Sequence, residues 1–399
     1  MLATTKKLTR KQTKAHNNRF VLKTIYEKGP ISRADIARAT HLTATTVSNI
    51  VSEYMASGLL EEVGSITIAR GKPPTLVNLV HDSAYIVGLD LARSEFQGAI
   101  MSLGGAVQAK HAIRLNGQKG EDALAVVYTL LDDLLSRTKT PILGIGIAAP
   151  GILEADYGMV RQAVNFGWYD LPLRQLLVDK YRLPVYIAND NHVAVLAEHT
   201  FGTYKGERDL VVLKVSHGIG AGIVLNQQLF YGHRFGAGEV GHVAVVENGE
   251  ACTCGNFGCL ETVASSRAIL KQAKQIAKRN PDSILQQLAP NLDTLTIQDV
   301  ITAFKAGDED VQQLIREVSG YLGTAVANIV GVLGVPTVLI AGSIVGFGQP
   351  LLDIIREVMT QKSLAVSVNE TQVEFASLED QIVYLGTAAL VLSNELGIV

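Results

Sequence analysis

Three cysteines and one histidine constrain this chain more than any other feature of its sequence. Cys252, Cys254 and Cys259 are the only cysteines, they fall within eight residues, and His242 lies just upstream in the run Gly238-Glu239-Val240-Gly241-His242. Thiolates at this spacing, with an imidazole in reach, supply the four soft or borderline ligands of a tetrahedral structural zinc site. Four protein ligands leave no open position for water, so such a metal is expected to brace the fold. A disulfide framework fails on arithmetic, because three cysteines leave one unpaired and no secretory segment opens the chain. Free thiols in a loop are the plainer alternative, and against it Gly255 and Gly258 supply the turns that a metal knuckle requires.

A chain of 399 residues with 47% hydrophobic residues and 37 glycines is expected to form two or three turn-rich domains with substantial cores. Its net charge of -3 carries no nucleic-acid signature overall, yet the charge is unevenly placed. Lys6, Lys7, Arg10, Lys11, Lys14, Arg19 and Lys23 all precede the first acid, Glu27. A basic arm alone is usually a solvated tail, so its meaning depends on the segment it leads into. The uncharged stretch from Thr324 to Leu352 has the length of a membrane span, but Pro336 and five glycines interrupt it. It is expected to be a buried helix followed by a buried strand. Reduced thiolates available for metal point to the cytoplasm.

Between Asn18 and Glu62 the apolar residues fall at helical spacing in three runs. The first, with Phe20, Val21, Ile25 and Tyr26, ends at Gly29-Pro30. Ser32 caps a second, with Arg33 at its start and Asp35 three residues past the cap. After a turn at His41-Leu42, a third begins at Thr43 or Thr45 and stops at Gly58. This is a helix-turn-helix plan whose third helix presents Thr43, Ala44, Thr45, Thr46, Ser48 and Asn49 near its N-terminus. Small hydroxyl and amide side chains there suit close approach to phosphates and base edges. Two strands come next, Leu59 to Val63 and Pro74 to Leu79, with Arg70, Gly71 and Lys72 at the tip of a wing that suits a minor groove or its phosphates. A helical docking module with an ordinary basic turn is the alternative. Arm, recognition helix and wing together favour duplex DNA as partner.

From Ala84 onward buried strands alternate with helices: Ile86 to Ala92 with its hairpin partner Phe96 to Met101, a helix Glu121 to Arg137, and strands Ile142 to Ala148 and Leu183 to Ala188. Asn189-Asp190-Asn191 then opens a helix through Glu198. A second cycle starts with the strand Leu210 to Val215 and the run Gly218-Ile219-Gly220-Ala221-Gly222, so two similar α/β halves are expected, 84–198 and 199–399, after a domain spanning 1–80. The C-terminal helix is allowed to return to the first half. A dinucleotide fingerprint would need a helix after the glycines; Ile223-Val224-Leu225 reads as strand, which puts the glycines in a tight hairpin.

The ordered set Gly218-Ile-Gly-Ala-Gly222, Gly236-Ala237-Gly238-Glu239-Val240-Gly241-His242 and Cys252-Thr-Cys254-Gly255-Asn256-Phe257-Gly258-Cys259-Leu260-Glu261 resembles the ROK family of repressors, open reading frames and sugar kinases. With the N-terminal winged helix the chain is similar to the regulator branch, and the resemblance spans nearly its whole length. It implies an actin-like (ribonuclease H-like), two-lobed sugar-kinase fold with the sugar in the cleft and zinc on His242, Cys252, Cys254 and Cys259. It further implies sugar contacts at Asn165 in Asn165-Phe166-Gly167-Trp168, at Asn189 and Asp190, at Glu239 and His242, and at Glu261. Paired amides and carboxylates suit adjacent sugar hydroxyls. Taken on residue type alone, Asn165 and Trp168 are equally a turn amide and a core aromatic, and Asp190 a helix cap. The kinases' first phosphate loop reads Asp-x-Gly-Gly-Thr; here Asp90-Leu91-Ala92-Arg93-Ser94 lacks both glycines, which argues against ATP binding. The family's Glu-Asn-Asp-x-Asn reads Ala188-Asn189-Asp190-Asn191-His192.

The expected function is a sugar-responsive, DNA-binding transcriptional regulator, a repressor acting as a homodimer or dimer of dimers. Its DNA contacts are Arg33, Thr43, Thr45, Thr46, Ser48, Asn49, Arg70 and Lys72. The rival is an ATP-dependent hexokinase with an appended DNA-binding domain, in which Asp190 would be the general base. A zinc-dependent scaffold without DNA is a third class, which predicts no salt-sensitive duplex binding.

Overall fold

The computed structural model describes residues 9–65, 74–92, 94–233, 236–364 and 370–398. The chain divides into two compact units, Met1–Asp190 with Val383–Val399 and Asn191–Ile382. The first unit opens with three helices whose starts are set by caps. Helix α1 (Arg10–Lys28) begins on a capping box: the Thr9 side chain accepts from the N–H of Gln12, whose own side chain accepts from the N–H of Thr9. Lys14, expected on a basic arm, is therefore carried on the helix, as are Arg19 and Lys23 of the expected first run; Lys6 and Lys7 lie outside the described residues. The capping box lies upstream of any apolar periodicity, so the hydrophobic pattern alone starts this helix too late.

Helices α2 (Arg33–Thr40) and α3 (Ala44–Ala56) start where the hydroxyls of Ser32 and Thr43 accept from the N–H groups of Asp35 and Thr46. The turn between them closes on His41, left-handed at φ 54°. Val21, Leu22, Ile25, Ile36, Val47, Ile50 and Val51 are all buried, so each helix contributes its apolar stripe to the interior. Strands β1 (Ile31–Ser32), β2 (Leu60–Ser65) and β3 (Thr75–Leu79) form an antiparallel sheet in the order β1-β3-β2, completing a winged helix-turn-helix. Arg70 and Lys72, expected at the tip of a wing, lie outside the described residues.

The rest of the first unit is built on β4 (Tyr85–Leu91), β5 (Glu95–Ser102), β6 (Val107–Arg114), β7 (Ile142–Ala149) and β11 (Val185–Asn189), with helices α4 (Glu121–Ser136) and α5 (Leu173–Tyr181). Strands β4, β5 and β6 are an antiparallel meander, while β7 runs parallel to β4 and β11 parallel to β7, giving the order β11-β7-β4-β5-β6. A small antiparallel sheet, β8 (Ile152–Glu154), β9 (Met159–Ala163) and β10 (Trp168–Leu171), comes after β7. The C-terminal helix, Ile382–Leu396, seats on this unit's large sheet from Val383 onward. A Cβ at Gly88 or Gly146 would overlap Thr387, so these glycines are the space the helix occupies.

The second unit repeats the plan. Strands β12 (Leu210–Val215), β13 (Ile219–Leu225) and β14 (Gln228–Leu229) form the meander, and β15 (Thr337–Ala341) and β16 (Gln372–Phe375) run parallel beside β12, in the order β14-β13-β12-β15-β16. Helix α6 (Asp190–Phe201) starts at the last residue of the first unit and continues into the second. The glycine run lies in the tight β12–β13 hairpin, as expected: the turn is Ser216-His217-Gly218, while Gly220 and Gly222 sit within β13 opposite Lys214 and Val212. A Cβ at Gly220 would overlap the Asn191 side chain, and one at Gly222 the Asn191 carbonyl, so the glycines admit α6 onto the strand. Helices α7 (Leu260–Ala264), α8 (Ser266–Arg279), α9 (Ile284–Leu288), α10 (Ile297–Lys305), α11 (Glu309–Leu333) and α12 (Gln349–Lys362) complete the unit. The uncharged stretch is α11 followed by the fully buried β15, separated at Gly334 (φ 63°); among the described residues no helix is long and apolar enough to cross a membrane.

Candidate functional site

The winged helix presents α3 by its N-terminal turns. Thr43 is consumed by capping: its hydroxyl meets that of Thr46 at 2.8 Å and accepts from the Thr46 N–H at 3.2 Å. Thr45 and Asn49 are exposed, Thr46 and Ser48 half-buried, and the opposite face carries the buried Val47, Ile50 and Val51. A polar groove between α1 and α3 is lined by Thr13, Lys14, Asn17, Asn18, Thr46 and Asn49. Arg33 stands apart from this face, its guanidinium held by Glu62 of β2 at 3.1 Å and by the Met55 sulfur at 3.3 Å.

In the second unit, one ligand atom from each of His242, Cys252, Cys254 and Cys259 lies within 4.8 Å of every other, a group that could hold a metal ion. Cys252 Sγ is 3.5 Å from His242 Nδ1, and Cys254 Sγ 3.7 Å from Cys259 Sγ. The loop is folded by its own backbone: Cys252 N–H donates to Asn256, Gly255 N–H to Cys252, and Gly258 N–H to Glu250. Gly258, at φ 68°, has no room for a Cβ beside the Val246 carbonyl. The Cys254 thiol is lowered from its ordinary value, chiefly by a backbone hydrogen bond from Asn256. Burial pushes the Cys259 thiol up to about 12, with the neighbouring sulfurs of Cys254 and Cys252 adding to it. Neighbouring thiolates oppose one another's ionisation, and a bound cation would relieve that opposition.

The remaining candidates hang from this loop. His242 turns Nδ1 to the thiols and Nε2 toward Glu239, 3.9 Å away. Glu261, two residues past Cys259 on α7, accepts from the Ile219 N–H at 3.2 Å and from Arg267 at 3.3 Å. Its carboxylate fills the space a side chain at Gly218 would need, which gives that glycine its reason. In the first unit Asn165 is exposed on the short turn Val164–Phe166, whose neighbours form an aromatic wedge: Phe166 lies 5.0 Å from both Phe96 and Trp168. Trp168 is 2% exposed and donates from Nε1 to the Gly120 carbonyl, so it is a core residue that holds the turn. Asn189 ends β11 and Asp190 begins α6, both half-buried. The candidates thus divide between the units, Asn165, Asn189 and Asp190 in one, Glu239, His242 and Glu261 in the other. Arg93 lies outside the described residues.

Sequence reasoning misses Arg267, which holds Glu261, and Glu198, which has no exposed surface and accepts from Ser377 and Leu378. The available sign for Glu198 was a lone acid in the apolar run Val193-Ala-Val-Leu-Ala-Glu198.

The ROK family profile matches residues 86–394, and a winged helix-turn-helix DNA-binding profile matches residues 17–61. A xylose repressor of Caldicellulosiruptor bescii is 35% identical over 385 residues, 95% of this chain and 96% of that protein. A glucokinase of Halalkalibacterium halodurans is 32% identical over 78% of this chain and 96% of its own. A solved ROK family transcriptional regulator, a homologue of the E. coli MLC protein, superposes with a TM-score of 0.86 at 27% identity, covering 97% of this chain and 98% of that one.

Proposed function

The chain belongs to the ROK family, and on that premise we propose that it is a sugar-responsive, DNA-binding transcriptional regulator, a repressor released by a monosaccharide. The observation that carries this reading is joint coverage. One relative named as a xylose repressor matches across 95% of the chain, winged helix and ROK body together, and the helix that would read DNA exposes Thr45 and Asn49. Thr45, Thr46, Ser48 and Asn49 are the proposed base and phosphate contacts, with Arg70 and Lys72 of the wing. Thr43 serves them as cap, and Arg33, held by Glu62, serves DNA only by leaving that partner. We place the protein with the DNA in the cytoplasm, as a homodimer whose two recognition helices meet half-sites one helical turn apart or a multiple of it.

The metal best supported is zinc. Bonds of about 2.3 Å to sulfur and about 2.0–2.1 Å to nitrogen in a tetrahedron imply ligand separations of roughly 3.8 Å and 3.5 Å. Two of the separations, 3.7 Å and 3.5 Å, match these values, and all four ligand atoms lie within 4.8 Å of one another. Bound there, zinc would supply a closed structural brace through His242, Cys252, Cys254 and Cys259. The chain's own residues then do the recognition. His242 keeps Nε2 free of the cluster to donate to a hydroxyl, Glu239 and Glu261 offer acceptors, and Asn165, Asn189 and Asp190 are further proposed sugar contacts.

A kinase reading draws support from the glucokinase similarity and from Asp190. Against it stands the loop Asp90-Leu91-Ala92-Arg93-Ser94, without the glycines that let backbone amides reach a phosphate. The two readings separate on a duplex recovered by selection from a random pool. Binding is expected to weaken steeply with salt, to weaken further with D-xylose or another monosaccharide, and to lose about 1–3 kcal/mol in Asn49→Ala. Turnover of ATP with any of those sugars, followed by ADP release, would replace the sensor reading with the enzyme.

A further inference from the structure

The chain passes between its two units twice, at Asp190–Asn191 and at Ile382–Val383, and both passages lie inside helices, α6 and the C-terminal helix. One residue ties the two passages together. Glu198 on α6 is fully buried, and its carboxylate accepts from the Ser377 N–H at 2.7 Å, the Ser377 hydroxyl at 2.8 Å and the Leu378 N–H at 2.9 Å. Ser377 in turn accepts at its hydroxyl from the Thr203 N–H at 3.1 Å, just past the end of α6. A Cβ at Gly202 would overlap Glu198, so the chain keeps this space open for the carboxylate. A buried carboxylate is costly unless it is hydrogen-bonded, and these three donors come from the short segment that leads into the C-terminal helix.

Each helix then has a working end elsewhere. Helix α6 begins at Asp190, a proposed sugar contact, and is seated on β13 by Asn191 over Gly220 and Val195 over Gly222. Eight residues of helix carry a displacement at Asp190 about 12 Å along the axis to Glu198. The far end of the C-terminal helix lies against the winged helix. Arg19 of α1 donates to the Asn394 carbonyl at 3.4 Å, and its side chain occupies the space where Gly397 would otherwise carry a Cβ. Tyr26 of the same helix donates to the Leu103 carbonyl in the turn after β5 at 3.4 Å, so α1 is anchored at two points of the first unit.

We propose that Glu198 is the positioning residue that couples sugar occupancy at Asp190 to the winged helix, through Ser377 and Leu378 and then the C-terminal helix to α1. This deepens the sugar-sensor reading and rests on it. Sugar and DNA affinities reside at the two ends of the path, while the factor by which one changes the other resides in the link. Glu198→Gln keeps the shape but removes the charge: its carbonyl oxygen can still accept from the two backbone N–H groups, while its N–H2 can only donate to the Ser377 hydroxyl, which must turn round to accept.

The test uses the full-length, metal-loaded protein. Affinity for the selected duplex is measured with and without D-xylose, N-acetyl-D-glucosamine and D-glucose, and affinity for the effective sugar by calorimetry. Glu198→Gln is expected to hold both separate affinities within about three-fold of wild type while the sugar-induced change in duplex affinity falls at least ten-fold. Ser377→Ala, at an exposed position that leaves the two backbone donors in place, is expected to lose part of that change and stays informative if Glu198→Gln does not fold. A variant that melts earlier but keeps the full sugar-induced change reduces Glu198 to a structural residue and overturns the proposal. If wild type itself answers to none of the three sugars while binding the duplex, the sensor reading fails, and the coupling role goes with it.

Discussion

The turn that carries Asn165 and the loop that carries His242 and Glu261 face the same problem, and the two units solve it by different physics. Both must hold short polar segments in fixed positions outside regular structure. In the first unit the turn is held by hydrocarbon: Phe166 and Trp168 are buried on either side of Gly167 and pack with Phe96. In the second, the loop exposes Val243 and Phe257, at 50% and 63%, and gathers three sulfurs and an imidazole instead. A loop that buries little apolar surface needs another source of order, and the proposed metal would supply it where a core cannot. The first solution tolerates any condition that leaves the core folded. The second, with the metal proposed above, would depend on an ion.

Metal removal is the strongest way to break this comparison. A closed thiolate site contributes on the order of 10 kcal/mol to the ordering of its loop. Chelation, or Cys252→Ser, is expected to abolish the sugar response while the emission of Trp168, in the other unit, stays unchanged. A shifted Trp168 spectrum would show that the two supports are not separate. Next in size, Phe166→Ala is expected to cost about 3–5 kcal/mol in thermal unfolding and to leave metal content at wild-type stoichiometry. Loss of metal in that variant would contradict the division. Smaller still, Gly146→Ala and Gly222→Ala each drive a methyl into backbone, of the C-terminal helix and of α6 respectively. Each is expected to cost about 1–3 kcal/mol. Equal losses in denaturant titrations would show that the two sheets receive their helices alike. The smallest effect is expected of Thr43→Ala, which lies in neither region: about 1 kcal/mol from the lost α3 cap, with weaker duplex binding and an unaltered sugar affinity.

Much of this was legible because it was local. Ser32 and Thr43 mark helix starts visible in the sequence, since a hydroxyl accepting from the third N–H along is encoded within four residues. The cysteine cluster was legible for the same reason, and the four ligand atoms do converge. What escaped was long-range. Gly220 and Gly222 read as part of a tight hairpin, but that they are strand positions emptied for a helix depends on Asn191, outside the run itself. Glu198 meets partners some 180 residues away, a pairing no periodicity announces. Trp168 carried two readings on residue type, and its burial behind Gly120 decided between them.

The exchange of helices between the units bears on how such a gene can be cut. Helix α6 begins in the first unit and covers the sheet of the second; the C-terminal helix begins in the second and covers the sheet of the first. Every residue from Ile382 to Leu392 is buried. A break between residues 190 and 191 would therefore yield one fragment with an uncovered sheet and another trailing a greasy helix with nothing to cover. The two pieces would be soluble only as a reassembled pair, which makes this position suited to split-protein complementation and closed to independent inheritance of either half.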